Sequence, residues 1–145
     1  MAFEIDLRNN QAFLAVDPSA VRRAVAVALR AEQVSSAVIS VTIVDNSSIH
    51  RLNREYLQHD YPTDVISFAL TTGPTIEGEI IASAEMACQM AIECGWEAAS
   101  ELTLYVVHGL LHLCGYDDLT PEDQAIMRER EREILALLGL TGSGR

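Results

Sequence analysis

The sequence has little of several residue types, and each shortage excludes a class of protein. Lysine is absent, so all ten basic residues are arginines, and they stand against 21 acidic residues for a net charge of −11. The 8 glycines and 4 prolines among 145 residues are too few for a collagen-like or low-complexity chain. No apolar run reaches the roughly 18 to 20 residues that span a bilayer, and we expect no membrane partner.

Targeting and redox signals are equally sparse. The N-terminal segment MAFEIDLRNN carries acids where a secretory signal would carry a basic cap, so we expect the protein to stay in the cytoplasm. Its three cysteines are an odd number without metal-type spacing, which predicts small buried apolar side chains in a reducing compartment. Cys114 differs from the others in lying beside the densest histidine cluster.

The strongly acidic charge bears on which partners the protein can bind. A field of this sign repels nucleic acid, so an RNA strand would have to be held by a local arginine patch, and we expect no DNA partner.

Alternating and helical apolar patterns predict an α+β fold. We expect a small mixed sheet of about four strands packed with about five helices, in one domain over residues 1–145. The predicted strands are residues 3–7, 38–44, 65–70 and 79–83. The predicted helices are residues 18–32, a shorter one through residues 49–56 with its N-cap among residues 45–48, and residues 84–94, 98–114 and 121–138. The strand at 38–44 is apolar almost throughout, which is typical of a strand covered on both faces.

The most informative segment is VVHGLLHLCGYDD at residues 106–118. His108 and His112 are four apart on a predicted helix, so they lie on one face and can bind one ion. Gly115 ends the helix and allows Asp118 to return toward the pair. Two imidazoles and one carboxylate leave a zinc ion one open position, as in catalytic sites. The alternative is that both histidines are satisfied core residues.

The spacing also matches the long zinc-protease motif H-E-x-x-H-x-x-G-x-x-H, with two differences. Gly109 stands where that motif has its general-base glutamate, and Asp118 stands where it has its third histidine. The missing glutamate argues against peptide hydrolysis by that mechanism.

Several further segments stand out beside the histidine motif. They are LNREY at 52–56, DYPTDVISF at 60–68, GEIIAS at 78–83, ELTLYVVHGLLHLCGYDD at 101–118, and the trailing Met127, Glu131 and Ile134-Leu135. With these segments the chain resembles the YbeY family of rRNA maturation factors. The resemblance implies a zincin-like fold and a metal-dependent endoribonuclease specific for single-stranded RNA. It further implies a role in 16S rRNA 3′-end maturation and ribosome quality control, with the small ribosomal subunit as partner.

Two positions depart from the family pattern. The last histidine of the family's metal motif is Asp118 here, which keeps a possible ligand, because carboxylate oxygen binds zinc much as imidazole nitrogen does. Where the family usually has an arginine after the aromatic residue of its LNREY-like segment, this chain has Leu57. Arg51 and Arg54 are candidates to bind RNA in its place, and the alternative is an exposed, solvated helix face.

The remaining candidates have weaker signals. Asp64 is either a partner of a metal-bound histidine or a cap of its own turn. Arg128, Arg130 and Arg132 alternate with glutamates, which predicts a solvated helix face. No residue is an obvious general base, so catalysis would depend on the hydroxide that a zinc ion generates from its own water.

Three functions therefore stay open from sequence. The first is the metal-dependent endoribonuclease with one Zn²⁺ at His108, His112 and Asp118. The second is a ribosome-assembly or RNA-chaperone protein of the same fold with little nuclease activity, which Leu57 and the charge of −11 favour. The third is a zincin-type hydrolase of another substrate, which Gly109 disfavours.

Overall fold

A computed structural model describes residues 2–71 and 73–141 of the chain. The strands of this part are β1 (Ala2–Asn9), β2 (Ser36–Val44), β3 (Val65–Ala69) and β4 (Ile76–Ser83), and its helices are α1 (Pro18–Ala31), α2 (Asn46–Leu57), α3 (Ala84–Cys94), α4 (Ala98–Leu113) and α5 (Pro121–Leu137). Elements and order agree with the prediction, so the α+β class is confirmed.

Local capping explains why the helices begin where the sequence predicts. The carboxylate of Asp17 accepts a hydrogen bond from the N–H of Ser19, and Pro18 occupies the first turn of α1. The hydroxyl of Thr120 accepts from the N–H of Asp123 at the start of α5 in the same way. Side-chain oxygens there satisfy N–H groups that have no partner within the helix.

The four strands form one mixed sheet in the order β1-β2-β4-β3. β1 is parallel to β2 and β2 to β4, whereas β3 pairs antiparallel with β4 at the edge. β4 begins at Ile76 rather than at residue 79, because residues 76–78 continue the pairing with residues 37–39 of β2. The predicted start of this strand at residue 79 was therefore three residues too late.

The sheet separates two apolar clusters of unequal size. The larger one lies between the sheet and helices α1, α4 and α5, and its centre includes Leu29, Ile80 and Leu110, all fully buried. The smaller one packs α2 on the opposite face through Val44 and Ile49. This second layer covers β2 only near Val44, whereas Val38 near the other end of the strand is 39% exposed, so the expectation of a strand covered on both faces was wrong.

The cysteines are more exposed than the sequence predicts. Cys88, Cys94 and Cys114 are free thiols of intermediate exposure, so the prediction that all three are buried was wrong.

Among the helices described, none has the length and apolar character required to cross a membrane.

Candidate metal centre

Helix α4 carries both histidines toward the same rim of the fold. Its apolar residues anchor it in the core, and Val107 and Leu111, which directly precede the two histidines, are almost completely buried. His108 and His112 themselves are 27% and 31% exposed. Their ring centroids are 4.7 Å apart and their Nε2 atoms 3.1 Å apart. The helical spacing thus directs two imidazole nitrogens to one point.

The turn after α4 brings the third side chain back. Gly115 has a φ of +103°, a left-handed conformation that favours glycine. The N–H groups of Gly115 and Tyr116 donate to the carbonyls of His112 and Leu111, which together form a Schellman helix end. After this reversal, Asp118 places its carboxylate oxygens 3.5 Å from Nε2 of His108 and 3.7 Å from Nε2 of His112.

The three side chains fit a divalent ion. One ligand atom from each of His108, His112 and Asp118 lies within 4.8 Å of the other two. Two ligands of a tetrahedral zinc ion, bound at about 2.0 to 2.2 Å each, are about 3.3 to 3.6 Å apart. The two Nε2 atoms are 3.1 Å apart, Oδ2 of Asp118 is 3.5 Å from Nε2 of His108, and Oδ1 of Asp118 is 3.7 Å from Nε2 of His112, so each contact is close to this spacing.

The outer nitrogen of each imidazole has its own hydrogen-bond acceptor. Nδ1 of His108 donates to the carboxylate of Glu131 at 2.5 Å, and Nδ1 of His112 donates to the backbone carbonyl of Tyr116 at 3.0 Å. Such partners fix the tautomer and orient the ring in metal sites. With both protons on Nδ1, two Nε2 lone pairs face each other, an arrangement that a cation between them stabilises.

Nearby charges also change the pKa of His108. Burial lowers the pKa of its imidazole, but the hydrogen bond and charge of Glu131 outweigh burial, and Asp64 and Asp118 act in the same direction. The pKa of His108 is therefore raised above its ordinary value. A surrounding that stabilises a positive charge on this ring also favours a bound cation.

Glu131 is the residue of the centre that the sequence analysis did not assign. Its side chain is only 13% exposed, and Arg130 beside it is 25% exposed and donates to Glu32 and to the carbonyl of Ala31. The predicted solvated face was thus wrong for Arg130 and Glu131. A signal for Glu131 existed, because it lies four residues after the buried Met127 and three before the buried Ile134, on the apolar stripe of α5.

Asp118 has no part in capping α5. Thr120 is the N-cap residue, and the carboxylate of Asp117 accepts from the N–H of Leu119 in the preceding turn. The backbone carbonyl of Asp118 accepts from the side chain of Gln124, which holds this residue in place and leaves its carboxylate directed at the histidines.

Asp64 lies beside the centre without bonding to either histidine. Its carboxylate accepts from the N–H of Val65 at 2.8 Å and from the hydroxyl of Thr63, as a turn cap does. It also lines the same cleft as His108. Its influence on the imidazole is therefore through charge.

The structure places the two candidate RNA-binding arginines outside the cleft. Arg51 and Arg54 are exposed on α2, and Arg54 is 3.9 Å from the carboxylate of Asp60, which also pairs with His50. Neither arginine lines the cleft at the histidines.

Gly109 occupies a position without room for a side chain. A Cβ atom there would lie 2.8 Å from Oγ of Ser67 and 2.9 Å from a methyl carbon of Ile80. The Ser67 hydroxyl donates to the carbonyl of Gly109, so strand β3 lies directly against the helix. A glutamate, the general base of zinc proteases at this position, does not fit between α4 and the sheet.

A cleft of about 310 Å³ opens onto the centre. Its charged and titratable wall residues are Asp64, Tyr105, His108, Asp118, Arg128 and Glu131. The fold, the three converging side chains and this cleft are those of a zincin-like α+β protein with a candidate metal site.

Comparison with known proteins gives the family. A family model described as Endoribonuclease YbeY matches residues 6–139, and the chain belongs to this family. The family predicted from the sequence is thereby confirmed, and with it the enzyme class, an endoribonuclease, in preference to an RNA chaperone or a hydrolase of another substrate.

Individual relatives agree with this family assignment. The Endoribonuclease YbeY of Rhodopirellula baltica is 49% identical over 105 residues, which are 70% of this chain and 54% of that protein. The Endoribonuclease YbeY of Roseiflexus castenholzii is 43% identical over 140 residues, 89% of this chain and 88% of that protein. The solution structure of TM1509 from Thermotoga maritima shares the fold, with a TM-score of 0.62 at 23% identity over 92% of this chain and 88% of that one.

Proposed function

We propose that this chain is a metal-dependent endoribonuclease that cuts single-stranded RNA at the cluster of His108, His112 and Asp118. The observation that carries the proposal is the fixed pair of imidazoles, whose Nδ1 atoms are both engaged and whose Nε2 atoms converge on the Asp118 carboxylate. The family to which the chain belongs supports RNA as the substrate class.

The residues of the centre have separate tasks. His108, His112 and Asp118 would hold the ion, while Glu131 and the carbonyl of Tyr116 keep the two imidazoles in the binding orientation. When bound, a divalent ion supplies a Lewis acid for a phosphoryl oxygen and lowers the pKa of a water molecule. No side chain takes the position of the protease glutamate, since Gly109 lies against Ser67 and Ile80.

The finer assignments belong to the same proposal. Zn²⁺ is the proposed ion, because two imidazoles and a carboxylate form a common zinc ligand set. We place the activity in the cytoplasm, in 16S rRNA 3′-end maturation and ribosome quality control, with the small ribosomal subunit as partner. Arg51 and Arg54 are proposed to contact the RNA strand outside the cleft, and Asp64 to support the bound ion through its charge.

Metal analysis combined with an RNA cleavage assay tests this function. The purified chain is expected to contain close to one divalent ion and to cut a fluorescent single-stranded RNA, and to lose cleavage with a chelator. His108→Ala and His112→Ala should lose both metal and cleavage. His59→Ala, which alters an exposed histidine remote from the cluster in sequence, serves as the matched control and should retain the metal.

Two results would refute the proposal. Full metal occupancy in the variant lacking both His108 and His112 would remove the site. Cleavage of RNA at an undiminished rate in that variant would show that the nuclease activity has another origin.

A further inference from the structure

Arg128 lies in the wall of the cleft that opens onto the metal centre. Its side chain is exposed, and within residues 2–71 and 73–141 no hydrogen bond or ion pair is formed by its guanidinium. Its neighbours on α5 differ in this respect. Arg130 pairs with Glu32 and Glu133, and Arg132 pairs with Glu129. Arg128 is therefore a cation at the centre that is available to a ligand.

The packing of α5 fixes where Arg128 emerges. Gln124, Arg128 and Glu131 follow one another at four- and three-residue spacing, so they lie along one side of the helix. Gln124 donates to the carbonyl of Asp118, and Glu131 accepts from His108, so both ends of this row are tied to the metal centre. Met127, buried to 1% exposure, holds the helix from its apolar side. Arg128 lies between these two attachments.

The charges of the cleft require a cation if a phosphate is to enter. Three carboxylates, those of Asp64, Asp118 and Glu131, line it, and the whole chain carries a net charge of −11. A bound divalent ion offsets two of these charges. A phosphodiester adds a further negative charge. Arg128 is the one arginine lining the described part of this cleft, and a guanidinium presents paired N–H groups that match phosphate oxygens.

We propose that Arg128 binds a backbone phosphate of the RNA strand in the cleft, next to the ion held by His108, His112 and Asp118. This inference rests on the proposed function and adds to it the side chain that receives the substrate. It assigns Arg128 a different task from Arg51 and Arg54, which lie outside the cleft wall.

Single-turnover cleavage of a fluorescent single-stranded RNA by the metal-loaded full chain tests the proposal. Loss of a charged hydrogen bond to phosphate predicts that Arg128→Ala lowers kcat/KM by about 10- to 100-fold. The kcat/KM of Arg128→Lys should lie between those of the wild type and Arg128→Ala. Arg132→Ala, one turn further along the same helix, removes the same charge away from the cleft and should stay within about twofold, as expected of an exposed substitution.

A second readout separates a phosphate contact from a structural effect. The logarithm of RNA affinity falls linearly with the logarithm of salt concentration, and each phosphate contact to a single strand contributes a slope of about −0.7. Fluorescence anisotropy should show this slope reduced by one contact in Arg128→Ala and unchanged in Arg132→Ala. The metal content of both variants should equal that of the wild type.

The outcomes distinguish failure of this proposal from failure of the proposed function. If the wild type binds but does not cut RNA, the nuclease function fails, and a lower salt slope in Arg128→Ala still supports the phosphate contact. If the wild type cuts RNA and Arg128→Ala equals it in kcat/KM and slope, the Arg128 proposal is overturned alone. Equal losses in Arg128→Ala and Arg132→Ala also overturn it, and a wild type that neither binds nor cuts RNA overturns both.

Discussion

The carboxylate of Glu131 accepts a hydrogen bond from Nδ1 of His108, although the two residues are 23 positions apart in the chain. This contact joins α5 to α4 at the point where the candidate ligands converge. Because Nδ1 is engaged, Nε2 is the nitrogen left to bind an ion. The position of the last helix is therefore part of the site.

Removal of this contact should weaken metal binding. We expect Glu131→Ala to lower metal affinity by about 10- to 100-fold, as found for residues that orient metal-bound histidines, and Glu131→Gln to lower it less because its amide oxygen can still accept. Titration against a zinc-binding dye measures both. Glu129→Ala, an exposed position on the same helix, is the control, and equal affinities in all these proteins would refute the orienting role.

The raised pKa of His108 predicts a pH-dependent stability of the metal-free protein. Below about pH 6.5 the imidazole is charged in the folded and unfolded states, so its favourable interactions are fully present. They are lost as the pH rises through the higher pKa of the folded state. Glu131→Gln should therefore reduce the free energy of unfolding by about 1.5 kcal/mol at low pH and by less at high pH.

Urea unfolding in the presence of a chelator, at pH 5.5 and at pH 8.5, checks this expectation. The difference between wild type and Glu131→Gln must be larger at the lower pH. A difference that grows toward pH 8.5 would contradict the raised pKa of His108.

The packing of Gly109 gives a stability prediction. Alanine is favoured over glycine in a helix by about 1 kcal/mol, but here its Cβ would lie 2.8 Å from Oγ of Ser67. We expect overpacking to win, so that Gly109→Ala lowers the free energy of unfolding by about 1 to 3 kcal/mol. At Gly73, in the loop before β4, a Cβ meets nothing within 4 Å, so Gly73→Ala is the control for an added methyl group without a steric clash. If Gly109→Ala has the same free energy of unfolding in denaturant as the wild type, the close packing at Gly109 is contradicted.

Local patterns determined what the sequence could predict. Asp17 with Pro18, and Thr120 with Pro121, mark two helix starts that the structure reproduces. The spacing of His108 and His112 depends only on the helical repeat and is equally local. The confirmed parts of the fold therefore rest on short-range signals.

Contacts between distant segments were not predictable in this way. Glu131 lies in a run of alternating charges, which resembles a solvated face until α5 is packed against α4. Arg130 is partly buried because its guanidinium donates a hydrogen bond to Glu32, at the end of α1. Arg128 lies in the cleft wall because α5 packs against α4. Its neighbours in sequence do not predict this position.

The arginines of α2 should contribute to RNA affinity without a direct effect on the chemical step, since they lie outside the cleft. If both contact phosphates, replacing Arg51 and Arg54 by alanine removes about 1.4 from the salt slope for a single strand. Filter binding at several salt concentrations measures this change, with single-turnover rates at saturating enzyme as the second readout. Arg23→Ala, an exposed change on α1, is the control, and a double variant that binds RNA like the wild type would refute the contact.

Asp118 decides whether the centre has three protein ligands or two. Its carboxylate oxygens lie 3.5 and 3.7 Å from the two Nε2 atoms, and the capping of α5 is done by Thr120 instead. If the carboxylate is a ligand, Asp118→Asn should weaken metal binding by at least about tenfold. Asp117→Asn, which alters the neighbouring turn carboxylate, is the matched control and should bind metal like the wild type.

Asp118→His provides the complementary test, because it replaces a charged ligand by a neutral one. The metal should stay bound, since imidazole nitrogen also binds zinc. A neutral ligand offsets less of the ion's charge and leaves the water of the site more acidic, so the pH profile of RNA cleavage should shift to lower pH. Metal titration and cleavage rates between pH 5 and 9 measure the two effects. If Asp118→Asn binds metal as tightly as the wild type and Asp118→His leaves the profile unmoved, the ion is held by His108 and His112 without this carboxylate.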